Sequence, residues 1–303
     1  MAENTNTNPI YILGTTSLSF YFAAKFLLAG ENVILLSNPA DNKRIENTTY
    51  TLKEDTGIKQ NHLKFQTSFL TQTPPKLLII ASGSEEINTD ILLVTKQKIQ
   101  NSPIISFTPL ENKTYIEEIL GKKIISAWFD GWLNLHENHI ELYGTQPEIC
   151  ILTPSDTSQN EQTKRFFSTI GIKSTTAVNS EDSFWIRYII YACGSLLSSS
   201  CNKNILQITK NKNLNTILEK MLSEALALHD FKQEITLTDI MNKIKTIPSG
   251  YTYPLHQNLM LGRRGDFDTI TNFLEQKSRQ TAALLPTITD AAKQIYNRYL
   301  SIN

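Results

Sequence analysis

A chain of 303 residues with 40% hydrophobic and 19% charged content has the make-up of an ordinary globular protein, long enough for two domains and a sizeable core. Lysine plus arginine and aspartate plus glutamate both number 29, so the formal net charge is zero and no overall attraction to nucleic acid or a membrane surface is implied. Three cysteines without metal-ligand spacing (Cys150, Cys193, Cys201), no apolar run of spanning length and a polar Met1 to Asn8 without a signal-peptide pattern lead to the expectation of reduced thiols and a cytoplasmic location.

The first element is an apolar strand, Ile10-Tyr11-Ile12-Leu13, followed by Gly14, a helix from Phe20 to Ala29 and a second apolar strand, Val33 to Leu36. A strand-helix-strand unit of this kind opens dinucleotide-binding domains. Their G-x-G-x-x-G turn uses one glycine to turn, one to admit the pyrophosphate and one for close helix-strand packing. Here only Gly14 is present, and the other two positions fall on Thr16 and Ser19. Thr15, Thr16 and Ser17 offer hydroxyls, and the free N–H groups of a helix start favour an anion. Taken alone, the turn fits either a bound dinucleotide or a structural strand-helix-strand unit.

Ser37 to Arg44 reads as a polar loop. No carboxylate ends the second strand, and Asn38, Lys43 and Arg44 would favour NADPH over NADH if a dinucleotide binds; a solvated surface loop is the other reading. Tyr50-Thr51-Leu52 and His62 to Phe65 read as two short strands around Asp55-Thr56-Gly57. Lys76 to Ala81 and Pro103 to Phe107 are short apolar runs of the kind found in buried parallel strands, with Ser82-Gly83-Ser84 and a helix to about Gln100 between them. The alternation predicts a mostly parallel sheet with helices on both faces, whose ligands bind at the carboxyl ends of the strands. Ser82, Gly83, Phe107 and Thr108 sit at those ends, although turn chemistry alone also accounts for them.

Three strand-like runs follow, Ile124 to Trp128, His139 to Tyr143 and Ile149 to Leu152, with hairpin-like intervals at Leu135 to Asn138 and Gly144 to Pro147. They predict an antiparallel appendage to the sheet, closed by a helix from Ser158 to Ile170 and a strand from Lys173 to Val178. The remainder is helical by period: Ser183 to Ser199, Leu214 to His229, Leu237 to Lys245, Phe267 to Arg279 and Pro286 to Leu300. The expected organisation is therefore α/β: a Rossmann-like dinucleotide-binding domain over residues 1–179 and an all-helical substrate and dimerisation domain over 180–303. Ala, Leu and Ile in the last helices suit a homodimer, and they suit an intramolecular core equally.

Asp182-Ser183-Phe184-Trp185-Ile186-Arg187, leading into a helix of small residues, resembles the start of the C-terminal domain of ketopantoate reductases. Tyr253 to Asn258, followed by Gly262-Arg263-Arg264-Gly265-Asp266-Phe267-Asp268 and the late Leu285-Pro286-Thr287, resembles the same family's second signature. The resemblance runs over nearly the whole chain. It implies NADPH as cofactor, a small 2-keto acid as substrate and reduction of ketopantoate to pantoate for pantothenate and coenzyme A biosynthesis. The family's catalytic lysine falls on Arg187, its two substrate-binding asparagines on Tyr191 and Ser195, and its acidic residue on Asp266, which is counted with both the catalytic and the cofactor-binding groups. Arg187, Tyr191 and Ser195 share one helix face at i, i+4 and i+8. An arginine binds a carboxylate or carbonyl but is a poor proton donor. The family's substrate-binding serine falls near Pro254, and a lysine many members carry after the strand ending near Ala81 is replaced by Gly83 and Ser84. Tyr253 and His256 are the nearest substitutes, histidine being the side chain best suited to proton transfer near neutral pH.

Each candidate also has a structural reading. Arg187 suits an ion pair, Tyr191 and Trp185 suit the core, and His256 suits a hydrogen-bonded, half-buried position. His62, His136, His139 and His229 form no metal-ligand spacing, so no metal is expected. A catalytically silent relative that binds a nucleotide or serves as an interaction module, or a related dehydrogenase of a different keto acid or an imine, stands open beside the reductase.

Overall fold

The computed structural model describes residues 8–54, 61–83, 87, 89–108, 112–152, 157–177 and 179–301. Met1 to Thr7, the expected turn at Asp55-Thr56-Gly57 and Ser84 lie outside the described residues. The chain divides into two compact units, Met1–Val178 and Asn179–Asn303.

In the first unit, β1 (Ile10–Leu13), β2 (Val33–Leu36), β5 (Gln66–Ser68), β6 (Leu77–Ile80), β7 (Ile104–Ser106) and the start of β8 (Ile125–His136) are parallel. β9 (His139–Ile151) runs antiparallel to β8, and β3 (Tyr50–Glu54), β4 (Asn61–Leu63) and β10 (Lys173–Thr176) extend the sheet from it. The order is β4-β3-β9-β8-β7-β6-β1-β2-β5, with β10 also on β9. This is the mostly parallel sheet with an antiparallel appendage that the sequence predicts.

Strand side chains alternate between two cores, as the pleat requires. Ile10 and Ile12 face the cluster built on α1 (Ser17–Leu28) and α5 (Thr157–Thr169), where Phe22 and Phe167 meet with ring centres 5.4 Å apart. Tyr11 and Leu13 face the other cluster, which contains Ile91 and Leu92 of α3 (Thr89–Lys96) and Ile116 and Leu120 of α4 (Lys113–Leu120). Strands buried on both faces must be apolar at every position, which is why β1 and β6 read as unbroken apolar runs. Each fully buried Phe or Ile contributes about 1.5–3 kcal/mol.

Three sequence expectations change. The polar stretch after β2 is a helix, α2 (Pro39–Glu46), because Asn38 caps it through Asp41 N (2.9 Å) and Pro39 opens its first turn. The three strands of the appendage are two long ones, since Gly144 and Pro147 lie within β9 opposite a register shift between Asp130 and Trp132. The helix expected up to Gln100 ends at Lys96, and Lys98 N and Ile99 N bond to Thr95 O in a closing turn.

The second unit is organised around α6 (Ser180–Cys201), with α7 (Ile205–Lys210), α8 (Lys212–Leu226), α9 (Leu237–Lys245), α10 (Pro254–Met260), α11 (Phe267–Thr281), α12 (Pro286–Ile295) and a π-helical turn (Tyr296–Leu300). α6 packs against α8, α10 and α12. Its start is fixed by Asp182, which accepts from Lys232 N (3.1 Å) and pairs with His229 (2.8 Å), while Trp185 Nε1 donates to Ala225 O (3.2 Å). α12 begins at Pro286 without a side-chain cap of its own; Glu224 of α8 supplies one, accepting from Thr287 N (2.9 Å) and Ile288 N (3.0 Å). No described helix is long and apolar enough to cross a membrane.

Candidate functional site

The chain leaves β1 towards β2 on one side and returns to β6 on the other, so the sheet order reverses between β1 and β6. The carboxyl ends of these strands are where an α/β sheet takes its ligand. Gly14 has φ +126°, and a Cβ there would lie 2.8 Å from both Ala81 O and Ser82 Cα, so only glycine permits this approach. Thr16 caps α1 through Ser19 N (3.2 Å), which leaves the amides of Ser17 and Leu18 directed out of the first turn. Ser82 is buried, and its hydroxyl has no hydrogen bond among the described residues. A close-approach glycine, a helix start and an unspent hydroxyl fit the pyrophosphate of a dinucleotide. Thr15 and Gly83 are half-buried at the same edge. Phe107 is engaged in the core, with its ring 4.9 Å from that of Phe22.

At the end of β2, Ser37 Oγ donates to Asn42 Oδ1 (2.5 Å) and Asn38 is spent on capping α2. Lys43 and Arg44 are exposed on α2, and Arg44 pairs with Asp41 at 3.1 Å. That surface pair is weak enough for an anionic ligand to displace.

In the second unit, every residue from Tyr188 to Ser200 is buried except Tyr191, which is half-buried. Its hydroxyl donates to Asp266 Oδ2 at 2.8 Å. Asp266 occupies the N-cap position of α11 without capping it; its carboxylate serves Tyr191 instead. Burial first, and then the charge of Asp266, hold the Tyr191 pKa well above the ordinary tyrosine value, so the group is protonated at all physiological pH. Ser195 Oγ is buried and makes no hydrogen bond of normal geometry, though its proximity to the Tyr191 hydroxyl works against that rise.

Tyr253 stands edge-on to Tyr191, ring centres 6.1 Å apart, and to Tyr251 at 5.2 Å. Its hydroxyl is seated on Gly194, where a Cβ would be only 2.2 Å away, and is buried without a hydrogen bond. Burial pushes its pKa well above the usual value, so it too is a neutral hydroxyl. Arg187 lies one turn before Tyr191 on α6, and its Nη1 donates to Ser183 O at 3.2 Å.

The structure therefore brings Tyr191, Ser195, Tyr253 and Asp266 together. His256 is directed to the end of α6, with Nδ1 3.0 Å from Ser198 Oγ and Nε2 2.9 Å from Asn202 Oδ1, and burial together with Arg298 lowers its pKa. Both ring nitrogens are thus occupied at a helix terminus. Arg263 and Arg264 are exposed, and Arg264 pairs with Asp268 at 2.6 Å. The sequence reading missed Gly194 and Tyr251. A glycine inside a long apolar helix was the available signal for the first, because helix interiors disfavour glycine unless something must approach. No group of three or more potential metal ligands occurs among the described residues.

No protein-family profile matches the chain, and no curated protein is significantly similar to it in sequence. Solved structures do match. A PanE/ApbA family ketopantoate reductase from Ralstonia eutropha superimposes with a TM-score of 0.79 at 17% identity, over 95% of this chain and 97% of that one. A 2-dehydropantoate 2-reductase from Geobacter metallireducens gives 0.79 at 15% identity, over 95% and 99%. D-mandelate dehydrogenase, in a ternary structure with NADH and anilino(oxo)acetate, gives 0.83 at 14% identity, over 97% and 98%. The chain has, along almost its entire length, the fold of ketopantoate reductases and D-mandelate dehydrogenase.

Proposed function

We propose that the protein is an NADPH-dependent reductase of a small 2-keto acid, with ketopantoate, reduced to pantoate, as its substrate. The observation that carries the reading is Tyr191: in the otherwise buried run from Tyr188 to Ser200 it alone is partly accessible, and its hydroxyl is held on Asp266 at 2.8 Å. The likeness of fold to keto-acid enzymes at 12–17% identity supports the class of reaction.

The cofactor, when bound, supplies the hydride. Ser17 and Leu18 amides with the Ser82 hydroxyl would hold its pyrophosphate, and Lys43 and Arg44 would receive a 2′-phosphate. Arg187 binds the substrate carboxylate through its planar guanidinium fork. In the free protein the single Tyr191 O–H proton lies on Asp266; with substrate bound, the hydroxyl turns from that carboxylate to the ketone oxygen and gives it the proton as it gains negative charge, the alkoxide being more basic than a phenolate. Asp266 holds the Tyr191 hydroxyl until the ketone takes its place, and Ser195 and Tyr253, both buried, form the wall behind it. His256 stays outside the reacting set because its ring is held by Ser198 and Asn202.

The test is NADPH oxidation, followed optically, on adding ketopantoate, with NADH and 2-ketoisovalerate as controls. Oxidation with ketopantoate that is lost in Tyr191→Phe supports the proposal. NADPH binding without oxidation of any 2-keto acid favours a silent nucleotide-binding relative. Faster turnover of an aromatic keto acid favours a different dehydrogenase, a reading that the aromatic cluster of Tyr191, Tyr251 and Tyr253 would suit.

A further inference from the structure

The turn after β1 is closed by side chains at the two positions where a dinucleotide-binding turn normally has glycine. Thr16 Oγ1 donates to Ala81 O at 2.6 Å, and Ser19 Oγ donates to Thr16 O at 3.0 Å while lying 3.4 Å from the same Ala81 carbonyl. Ala81 N in turn bonds to Leu13 O at 2.9 Å, so the end of β6 is tied to both the end of β1 and the start of α1. The Thr16 side chain is thereby folded back onto β6 rather than projected over the amides of Ser17 and Leu18. A β-branched residue at this position would block an approaching phosphate if its side chain took the outward direction.

We infer that Thr16 and Ser19 form a latch that positions the Ser17 and Leu18 amides for a phosphate without touching it, while Ser82 makes the contact. The inference rests on the proposed cofactor reading and deepens it by separating two kinds of residue at one turn. Thr16 has its hydroxyl fully engaged within the protein, accepting from Ser19 N and donating to Ala81 O. Ser82, the next residue after Ala81, is 5% exposed with its hydroxyl unbonded among the described residues. An engaged hydroxyl stabilises the apoprotein, and an unbonded buried one stabilises only a complex.

Two substitutions separate the roles, read by NADPH fluorescence titration and by thermal melting of the apoprotein. Thr16→Val keeps the shape and removes both bonds: the apoprotein is expected to melt roughly 2–4 °C lower, and Kd for NADPH to rise about tenfold. Thr16→Ser restores both values. Ser82→Ala is expected to raise Kd by a similar factor with the apo melting temperature unchanged or higher. A Thr16→Val protein that melts like the wild type yet binds poorly would make Thr16 a direct phosphate ligand and overturn the latch. One that melts lower and binds normally would make it a structural cap and overturn the positioning role. If the wild-type protein binds no NADPH, the cofactor reading fails and the latch loses its purpose with it.

Discussion

Gly194 sits within the most deeply buried stretch of α6, and the reason argued above is steric: an added Cβ would lie 2.2 Å from Tyr253 Oη, 2.5 Å from its Cζ and 2.9 Å from its Cε2. Gly194→Ala alone should favour the helix by about 1 kcal/mol. Against that, the ring must retreat by more than an ångström, and Tyr253 is 1% exposed and bounded by Tyr191 and Tyr251. An overlap this deep falls at the upper end of the about 1–3 kcal/mol that overpacking costs, so it exceeds the helix gain of about 1 kcal/mol and the net effect is destabilisation of roughly 2 kcal/mol. The melting temperature should fall by roughly 4–8 °C.

The assay is a double-mutant cycle by calorimetric or circular-dichroism melting with Tyr253→Ala. That change opens a cavity and is itself destabilising by about 3–5 kcal/mol. In its background, however, Gly194→Ala is freed of all three of these contacts and should become stabilising by about 1 kcal/mol. The reversal of sign is the diagnostic. An equal loss in both backgrounds would refute the steric account and leave the glycine without the role assigned to it.

Tyr191→Phe should lower kcat/KM by about 100-fold or more while Kd for NADPH changes little, checked by steady-state kinetics and fluorescence titration. Glu224→Ala should lower stability by about 1–2 kcal/mol, seen as a lower melting temperature, because two amides at the start of α12 lose their only side-chain cap. Glu224→Gln should recover part of it. Alkaline pH should unfold the protein steeply. Tyr21, Tyr251 and Tyr253 have pKa values raised above 10.0, chiefly by burial. Their contribution is therefore fully present below pH 10.0 and is lost as pH climbs towards the folded-state values, by about 1.4 kcal/mol per pH unit for each. Phenolate absorbance should appear together with loss of circular dichroism; phenolate formation in an intact fold would contradict the burial of these rings.

The fold was legible where burial dictates the letters. β1, β2, β6 and β7 are enclosed on both faces and so must be short and apolar, and the helices of the second unit must show an apolar stripe. It was illegible where few residues are buried. α2 has one buried residue, Ile45, so no stripe exists to be read, although Asn38 followed by Pro39 was a capping signal in plain view. In the hairpin the error had the opposite cause. Gly144 and Pro147 are turn residues by type, but they bound a bulge in β9 itself, where residues 144–147 stand opposite Gly131 of β8 and the pairing resumes on either side. Turn chemistry describes what a residue permits locally, and the paired strand decides whether the chain uses it.

The site shows the same division between local spacing and distant partners. Arg187, Tyr191 and Ser195 were singled out by the family resemblance, and their common helix face could be read because i, i+4 and i+8 is a local relation. The bond from Tyr191 to Asp266 joins positions with no local relation, and the seat of Tyr253 on Gly194 joins another such pair. Those two contacts set the surroundings of both tyrosines: Asp266 takes the Tyr191 proton into a hydrogen bond, and Gly194 makes room for the Tyr253 hydroxyl. At the other candidate site, Thr16 and Ser19 count as lost glycines in a motif, yet their hydroxyls converge on one carbonyl and leave the helix start open. In both units the polar side chains at the motif positions are placed by bonds that only the folded chain reveals, as buried polar groups are in working and silent proteins alike.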